Sequence, residues 1–427
     1  MKTLLKNCKI VNHDKTIEGN ILIDGEVIAS INAGDVSADK VIDCEGKYVV
    51  PGLIDLHVHL RDPGLEYKED IISGSYAAVA GGVTAICPMA NTKPVNDNST
   101  ITKYMIDKGK ELGICDIFPI GAMTKKMEGE ELSEMGDMTE AGAIGFSDDG
   151  KPVCSAEVFR RAAEYASQFG SFVISHAEDK SLAGAGVIHD GETATITGLR
   201  GIPSESEEVM VARDILMSKL TGAHVHICHI SSKGTLELIR WAKAQGLNVT
   251  CEVTPHHFKL TDKELLTYDT NYKMNPPLRA QEDVDAMIDG LKKGDIDCIV
   301  TDHAPHHVDE KNVEFDLAMF GITGLQTLLP LSLELVANGV INMNDFVRLT
   351  SYTPAKLIKK SDRGEIAEGK LADLVVLDVD KEYEFTKALN KSKSINSPFL
   401  GKMMKGAALY TIKSGKVVFE FPYEEQS

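Results

Sequence analysis

Short apolar runs that end in polar residues recur along the middle of the chain: GLIDLHVHL, GVTAICPMAN, GICDIFPIG, AGAIGFSDD, SFVISHAE, HVHICHIS, NVTCEVTPHH and DCIVTDHAPH. The stretches between them, such as 156–169 and 207–220, carry apolar residues at helical spacing. Gly82, Gly113, Gly142, Gly170, Gly222 and Gly246 stand ahead of several runs, where a glycine ends the preceding helix. Eight strand–helix units over about 250 to 300 residues predict an α/β fold, a (β/α)8 TIM-type barrel whose chemistry sits at the C-terminal ends of its strands. Both chain ends read instead as β structure: NILIDGEVIASI near the start, LADLVVLDVD and YTIKSGKVVFE near the end, with Asp24-Gly25 and Ser414-Gly415 as hairpin turns. The expected organisation is a composite β domain, 1–50 and 363–427, around a barrel of 51–362.

A chain of 427 residues can bury such a core, and 43% hydrophobic with 26% charged residues is ordinary for a globular enzyme. The net charge of −19 argues against nucleic acid or an anionic membrane as partner, while leaving room for a local cationic pocket. The N-terminal apolar run is broken by Lys6, Asn7 and Lys9, and the uncharged stretch 76–92 is too short to span a bilayer. A cytoplasmic protein is expected. Its eight scattered cysteines form no C-x-x-C pair, which suits buried thiols rather than metal ligands.

The candidate chemistry lies at the strand ends. His57 and His59, two residues apart on one strand, face the same way into the barrel mouth. Asp148 and Asp149 finish the fourth run, His176 the fifth, His229 the sixth and Asp302 the eighth. Four histidines and two carboxylates gathered there need a cation to satisfy them. Imidazole and carboxylate without thiolate suit zinc, and six ligands exceed what one catalytic ion with an open position uses. Two ions sharing a hydroxide imply hydrolysis.

Together, DLHVHLRDPG, ANTKPVND, FSDDG, SHAED, HICHIS, TPHH, YKMNPPLR and VTDHAPH resemble the dihydroorotases of the amidohydrolase superfamily, and the tail RGEIAEGKLADLVVLD is similar to that superfamily's β domain. The resemblance implies reversible hydrolysis of the cyclic amide of L-dihydroorotate to N-carbamoyl-L-aspartate, in pyrimidine biosynthesis. It implies two Zn2+ per subunit, one on His57, His59 and Asp302, the other on His176 and His229, bridged by Asp149 and a hydroxide. Relatives such as hydantoinases and allantoinases use a carboxylated lysine as the bridge; here Lys151 lies past the Asp149-Gly150 turn, and Asp148 is expected to point away. Asp302 would take the hydroxide proton and pass it to the leaving ring nitrogen.

By the same resemblance Arg61, Asn91 and His306 hold the substrate carboxylate, and Asn275 with the backbone at Phe320 and Gly321 holds the ring amide; His59 also counts among the substrate contacts. A salt bridge from Arg61 to Asp62 or Glu66, and turn-capping by Asn91 and Asn275, are the plainer alternatives. APHHVDEKNVEFDLAMFG reads as a lid carrying His306. His256 and His307 are assigned supporting or surface positions, and His13, His189, His224, His226, His257 and His303 structural ones. The competing functions are a cyclic amidase for uncharged rings of the hydantoinase or allantoinase type, and an inactive scaffold for aspartate transcarbamoylase. A homodimer is expected from the resemblance, and association with a transcarbamoylase is left open.

Overall fold

Alternating apolar residues at the two chain ends come together in a single sheet. The computed structural model describes residues 1–32, 34 and 36–422. From one edge the sheet runs Lys416–Glu420, Met403–Lys413, Leu374–Glu384, Tyr48–Pro51, Lys2–Val11, Thr16–Asp24 and Val27–Ile31, with Lys40–Asp43 also paired to Lys2–Val11. Leu374 to Leu377 lie antiparallel to Tyr48–Pro51, so the C-terminal strands join the N-terminal ones in the middle of the sheet. Leu5, Ile10, Ile21, Ile23, Val376 and Ile412 pack into one buried cluster. The first hairpin turn is Gly25-Glu26, one residue later than the sequence suggests, because Asp24 pairs with Val27 and so belongs to the strand.

In the middle of the chain, Leu53–Val58, Val83–Pro88 and Asp116–Ile117 form one parallel sheet. Val173–Ser175, Val225–Ile227, Val249–Val253 and Cys298–Ile299 form another. The fourth run joins them around the fully buried Phe146, which bridges Gly121 on one side and Val173 on the other, helped by backbone hydrogen bonds linking Gly145 and Ser147 to Gly121. The ring closes where Val58 bridges His303. Helices Ile71–Ala80, Ser99–Leu112, Ala156–Gln168, Glu205–Thr221, Lys233–Ala244, Gln281–Lys293 and Leu328–Ala337 alternate with the strands. All six glycines expected to end helices have left-handed φ, from 66° at Gly170 to 112° at Gly142.

Residues 385–402, which the sequence places with the composite β domain, leave the sheet and reach the barrel mouth. There Asn396 donates to the carbonyls of Ala304 (2.9 Å) and Gly321 (3.0 Å) and accepts from the His306 amide. Among the described residues no helix is long and apolar enough to cross a membrane.

Candidate metal centre and binding cavity

The first barrel strand, Leu53–Val58, is buried along its whole length, so its polar residues need partners inside the barrel. Asp55 accepts from the Thr301 amide and hydroxyl and from the His57 amide, tying the first strand to the eighth. His57 follows with both ring nitrogens engaged in different directions. Nδ1 donates to Glu252 (2.7 Å), while Nε2 points to Asp149 and Asp302, 3.5 Å from each. His59 donates from Nδ1 to Asn91 (2.9 Å) and turns Nε2 to Asp302 (3.0 Å) and Asp149 (3.5 Å).

Across the mouth, His176 Nδ1 lies 2.9 Å from His229 Nε2 and 3.4 Å from Asp149, which is 3.7 Å from His229. Asp149 therefore stands between the two histidine pairs. Two groups of three or more ligand-type atoms within 4.8 Å of one another result: His57, His59 and Asp302, and His57, Asp149, Cys228 and His229. Cys228 packs among Ile54, Cys87 and Phe172, and burial pushes its thiol well up, which makes it a poorer ligand than His176. His57 Nε2 and Asp149 Oδ1 are buried without a hydrogen-bond partner among the described residues, and two imidazole nitrogens face each other. Such a donor set fits divalent cations of the zinc type and leaves costly orphans otherwise.

The electrostatics agree. Burial favours the uncharged form of every group here, yet Asp149 and Glu178 raise His176 to about 9. His57 and His59 likewise overcome burial and hold Asp302 at about 2, and Asp149 stays well below the ordinary carboxylate range. The cluster is built to concentrate positive charge. Strained backbone accompanies it, since Arg61, His229 and Asp302 have φ of 61°, 28° and 46°.

The other expected residues meet in one cavity of about 320 Å³ above the cluster, with Asn275, Phe320 and Gly321 in its walls. Arg61 pairs with neither Asp62, which binds Lys108 and Tyr104, nor Glu66, which accepts from the Gly64 amide. Its guanidinium donates to the Pro305 carbonyl (3.2 Å) and lies 3.4 Å from His306 Nε2. Burial, Arg61 and Lys68 hold His306 far below its usual value, so it is a neutral partner beside a free cation. Asn275 donates to Glu178 (3.3 Å) rather than capping a turn. At Gly321, with φ 150°, a Cβ would stand 2.6 Å from the Ala304 carbonyl and 2.9 Å from His306, so only glycine fits this wall.

Asp148 turns away, accepting from the Met123 and Thr124 amides, and Lys151 is exposed. His307 caps the short helix Val308–Lys311, and His256 is buried. Sequence reasoning missed three groups. Glu252 links His57 to His226 (3.0 Å), and Glu178, bound by Lys180, lies 3.6 Å from His176 Nε2. Lys68 ties Glu310 to the His306 side of the cavity. A carboxylate inside the buried run NVTCEVT was the available signal for Glu252.

Comparison with known proteins places this geometry. A family described as Dihydro-orotase-like matches residues 46–235, and one described as Amidohydrolase family matches 327–419. A dihydroorotase of Trichlorobacter lovleyi is 49% identical over 98% of this chain and 99% of its own length. One of Geobacter sp. (strain M21) is 50% identical over 98% and 100%. Among solved structures, an L-hydantoinase (dihydropyrimidinase) from Arthrobacter aurescens has a TM-score of 0.88 at 28% identity, covering 98% of this chain and 96% of its own. A dihydropyrimidinase from Brevibacillus agri NCHU1002 shares the fold, with a TM-score of 0.83 at 24% identity, covering 98% and 95%. With near-half identity along nearly all of its length, the chain belongs to the dihydroorotase family of amidohydrolase enzymes.

Proposed function

We propose that this chain interconverts L-dihydroorotate and N-carbamoyl-L-aspartate, the dihydroorotase step of pyrimidine biosynthesis. The barrel of 51–362 carries the chemistry, and the composite β domain of 1–50 and 363–427 braces it, as a homodimer in the assembly expected from the resemblance. The observation that carries the reading is Arg61, a cation in the cavity wall with no acidic side chain within ion-pair distance among the described residues, beside a neutral His306. A planar carboxylate is the natural complement of a free guanidinium.

His57, His59 and Asp302 would hold one zinc, His176 and His229 the other, with Asp149 shared between them. When bound, the ions supply Lewis acidity and a water acidic enough to act as hydroxide near neutral pH. The chain's own residues do the rest. Arg61, Asn91 and His306 fix the substrate carboxylate, while Asn275 and the backbone at Phe320 and Gly321 hold the ring amide. His59 stands between the carboxylate site and Asp302, which it touches at 3.0 Å. Asp302 carries the proton to and from the ring nitrogen, a task for a carboxylate held ionised at the strand end. Glu252 accepts from the outer nitrogen of His57, fixing which nitrogen that ring presents inward, while Glu178 places a negative charge 3.6 Å from the outer nitrogen of His176.

The test compares hydrolysis of L-dihydroorotate with that of dihydrouracil, hydantoin and allantoin by zinc-loaded protein. Activity confined to L-dihydroorotate is expected. Turnover of the uncharged rings that survives Arg61→Met would move the chain to the hydantoinase type, and silence on all four would favour a scaffold.

A further inference from the structure

Two buried lysines have no part in the chemistry above. Lys273 is 1% exposed, and its ammonium donates to the carbonyls of Phe315 (2.7 Å) and Asp316 (3.0 Å) while lying 4.6 Å from the centroid of the Phe320 ring. Lys311 is 5% exposed and donates to the carbonyls of Met319 (2.8 Å), Gly321 (3.2 Å) and Lys273 (3.4 Å). The Gly321 amide returns a bond to the Lys273 carbonyl (2.9 Å). Among the described residues neither ammonium has a carboxylate within ion-pair distance; Asp316 and Asp269 act on them only from farther off.

This is a costly arrangement, because a buried charge without a counter-charge gives up its hydration for hydrogen bonds alone. Burial holds Lys311 at about 7 and Lys273 at about 8, which records that cost. The loop they hold has only a small core of its own, Phe315 and Ala318, with Phe315 packed beside Val187, Ile188 and Leu265. Leu317 is 70% exposed and Met319 45%, with their backbone anchored and their side chains outward. Five ammonium–carbonyl contacts, four of them to loop residues 315–321, add to that packing in fixing the backbone. The loop ends at Phe320 and Gly321, which line the cavity.

We propose that Lys273 and Lys311 are positioning residues for substrate: their ammonium groups fix the backbone of 315–321 as a wall of the cavity, and their unpaired charge favours an anionic ligand there. The proposal rests on the reading of the cavity as the L-dihydroorotate site. On this proposal the second half of the segment expected as a lid is tied by the two ammonium groups.

Steady-state hydrolysis of L-dihydroorotate by zinc-loaded Lys311→Met and Lys273→Met should show KM raised about tenfold each, the size of one charged hydrogen bond, with kcat within about threefold. Lys387→Met, at an exposed lysine, should leave both unchanged. In Lys311→Ala, added ethylammonium should lower KM again, which a merely structural loss would not allow. Thermolysin should cut beside Leu317 in the variants much faster than in the wild type without substrate. Variants that keep the wild-type KM and resist thermolysin equally overturn the proposal. So does a loss of kcat and KM in step with a lowered melting temperature and no response to ethylammonium. A wild type inactive on L-dihydroorotate would instead overturn the substrate reading, and the proteolysis comparison would still judge the two lysines.

Discussion

The composite sheet and the barrel mouth are built on opposite terms. In the sheet, apolar side chains such as Leu5, Ile10, Ile21 and Ile23 are wholly or almost wholly buried, and adjoining strands satisfy one another's backbone. At the mouth, the polar atoms His57 Nε2, Asp149 Oδ1, His229 Nδ1 and His256 Nε2 are buried without hydrogen-bond partners among the described residues, which also give two nearby lysines no counter-ion, and three strained backbones stand beside them. One region gains stability from burial, and the other gives it up to hold charge in fixed places. That difference predicts that substitutions in the two regions will separate stability from activity.

The sharpest separation should come from Asp302→Asn. It keeps shape but removes the carboxylate proposed to carry the proton, and kcat/KM should fall roughly 10²- to 10⁴-fold while the thermal midpoint stays near wild type. Ile21→Ala should do the reverse. Deleting a fully buried side chain from the sheet should cost about 2 to 5 kcal/mol in denaturant unfolding, with kcat/KM unchanged below the transition. Glu252→Gln should fall between the regions, since it disturbs the outer nitrogen of His57 without touching substrate. Zinc affinity measured by chelator competition should drop about 10- to 100-fold, and excess zinc should restore activity. Arg61→Met should act on KM for L-dihydroorotate by about tenfold or more, the weight of a charged hydrogen bond, without altering zinc content. A variant that moved stability and activity together at Asp302 or Ile21 would break the contrast.

Much of this was legible in the sequence, for particular reasons. The pair His57 and His59 shows itself because strand period 2 puts both on one side, and Asp149, His176, His229 and Asp302 stand where apolar runs stop. The fourth strand was legible only as a run: in space it shrinks to a single bridging residue, Phe146, which no periodicity reveals. Glu252 and Lys68 were missed because their partners lie far along the chain; Glu252 meets His57 across 195 residues, whereas Glu178 stands two residues from His176 and only the fold turns both toward Asn275. Lys273 and Lys311 were hidden for another reason. A lysine in a polar loop reads as solvated, and only the fold brings the carbonyls of 315–321 around it. Residues 385–402 likewise read as part of a β domain, though Asn396 serves the mouth.

The central claim is that divalent metal completes the orphaned groups at the mouth. Its most direct test is elemental analysis of metal per chain in the purified protein and in Asp149→Ala, after zinc loading and dialysis. Two zinc ions per chain in the wild type, with loss of at least one in the variant, is the expected result. A wild type that retains none, or a variant that binds zinc as fully and tightly as the wild type, would contradict the account.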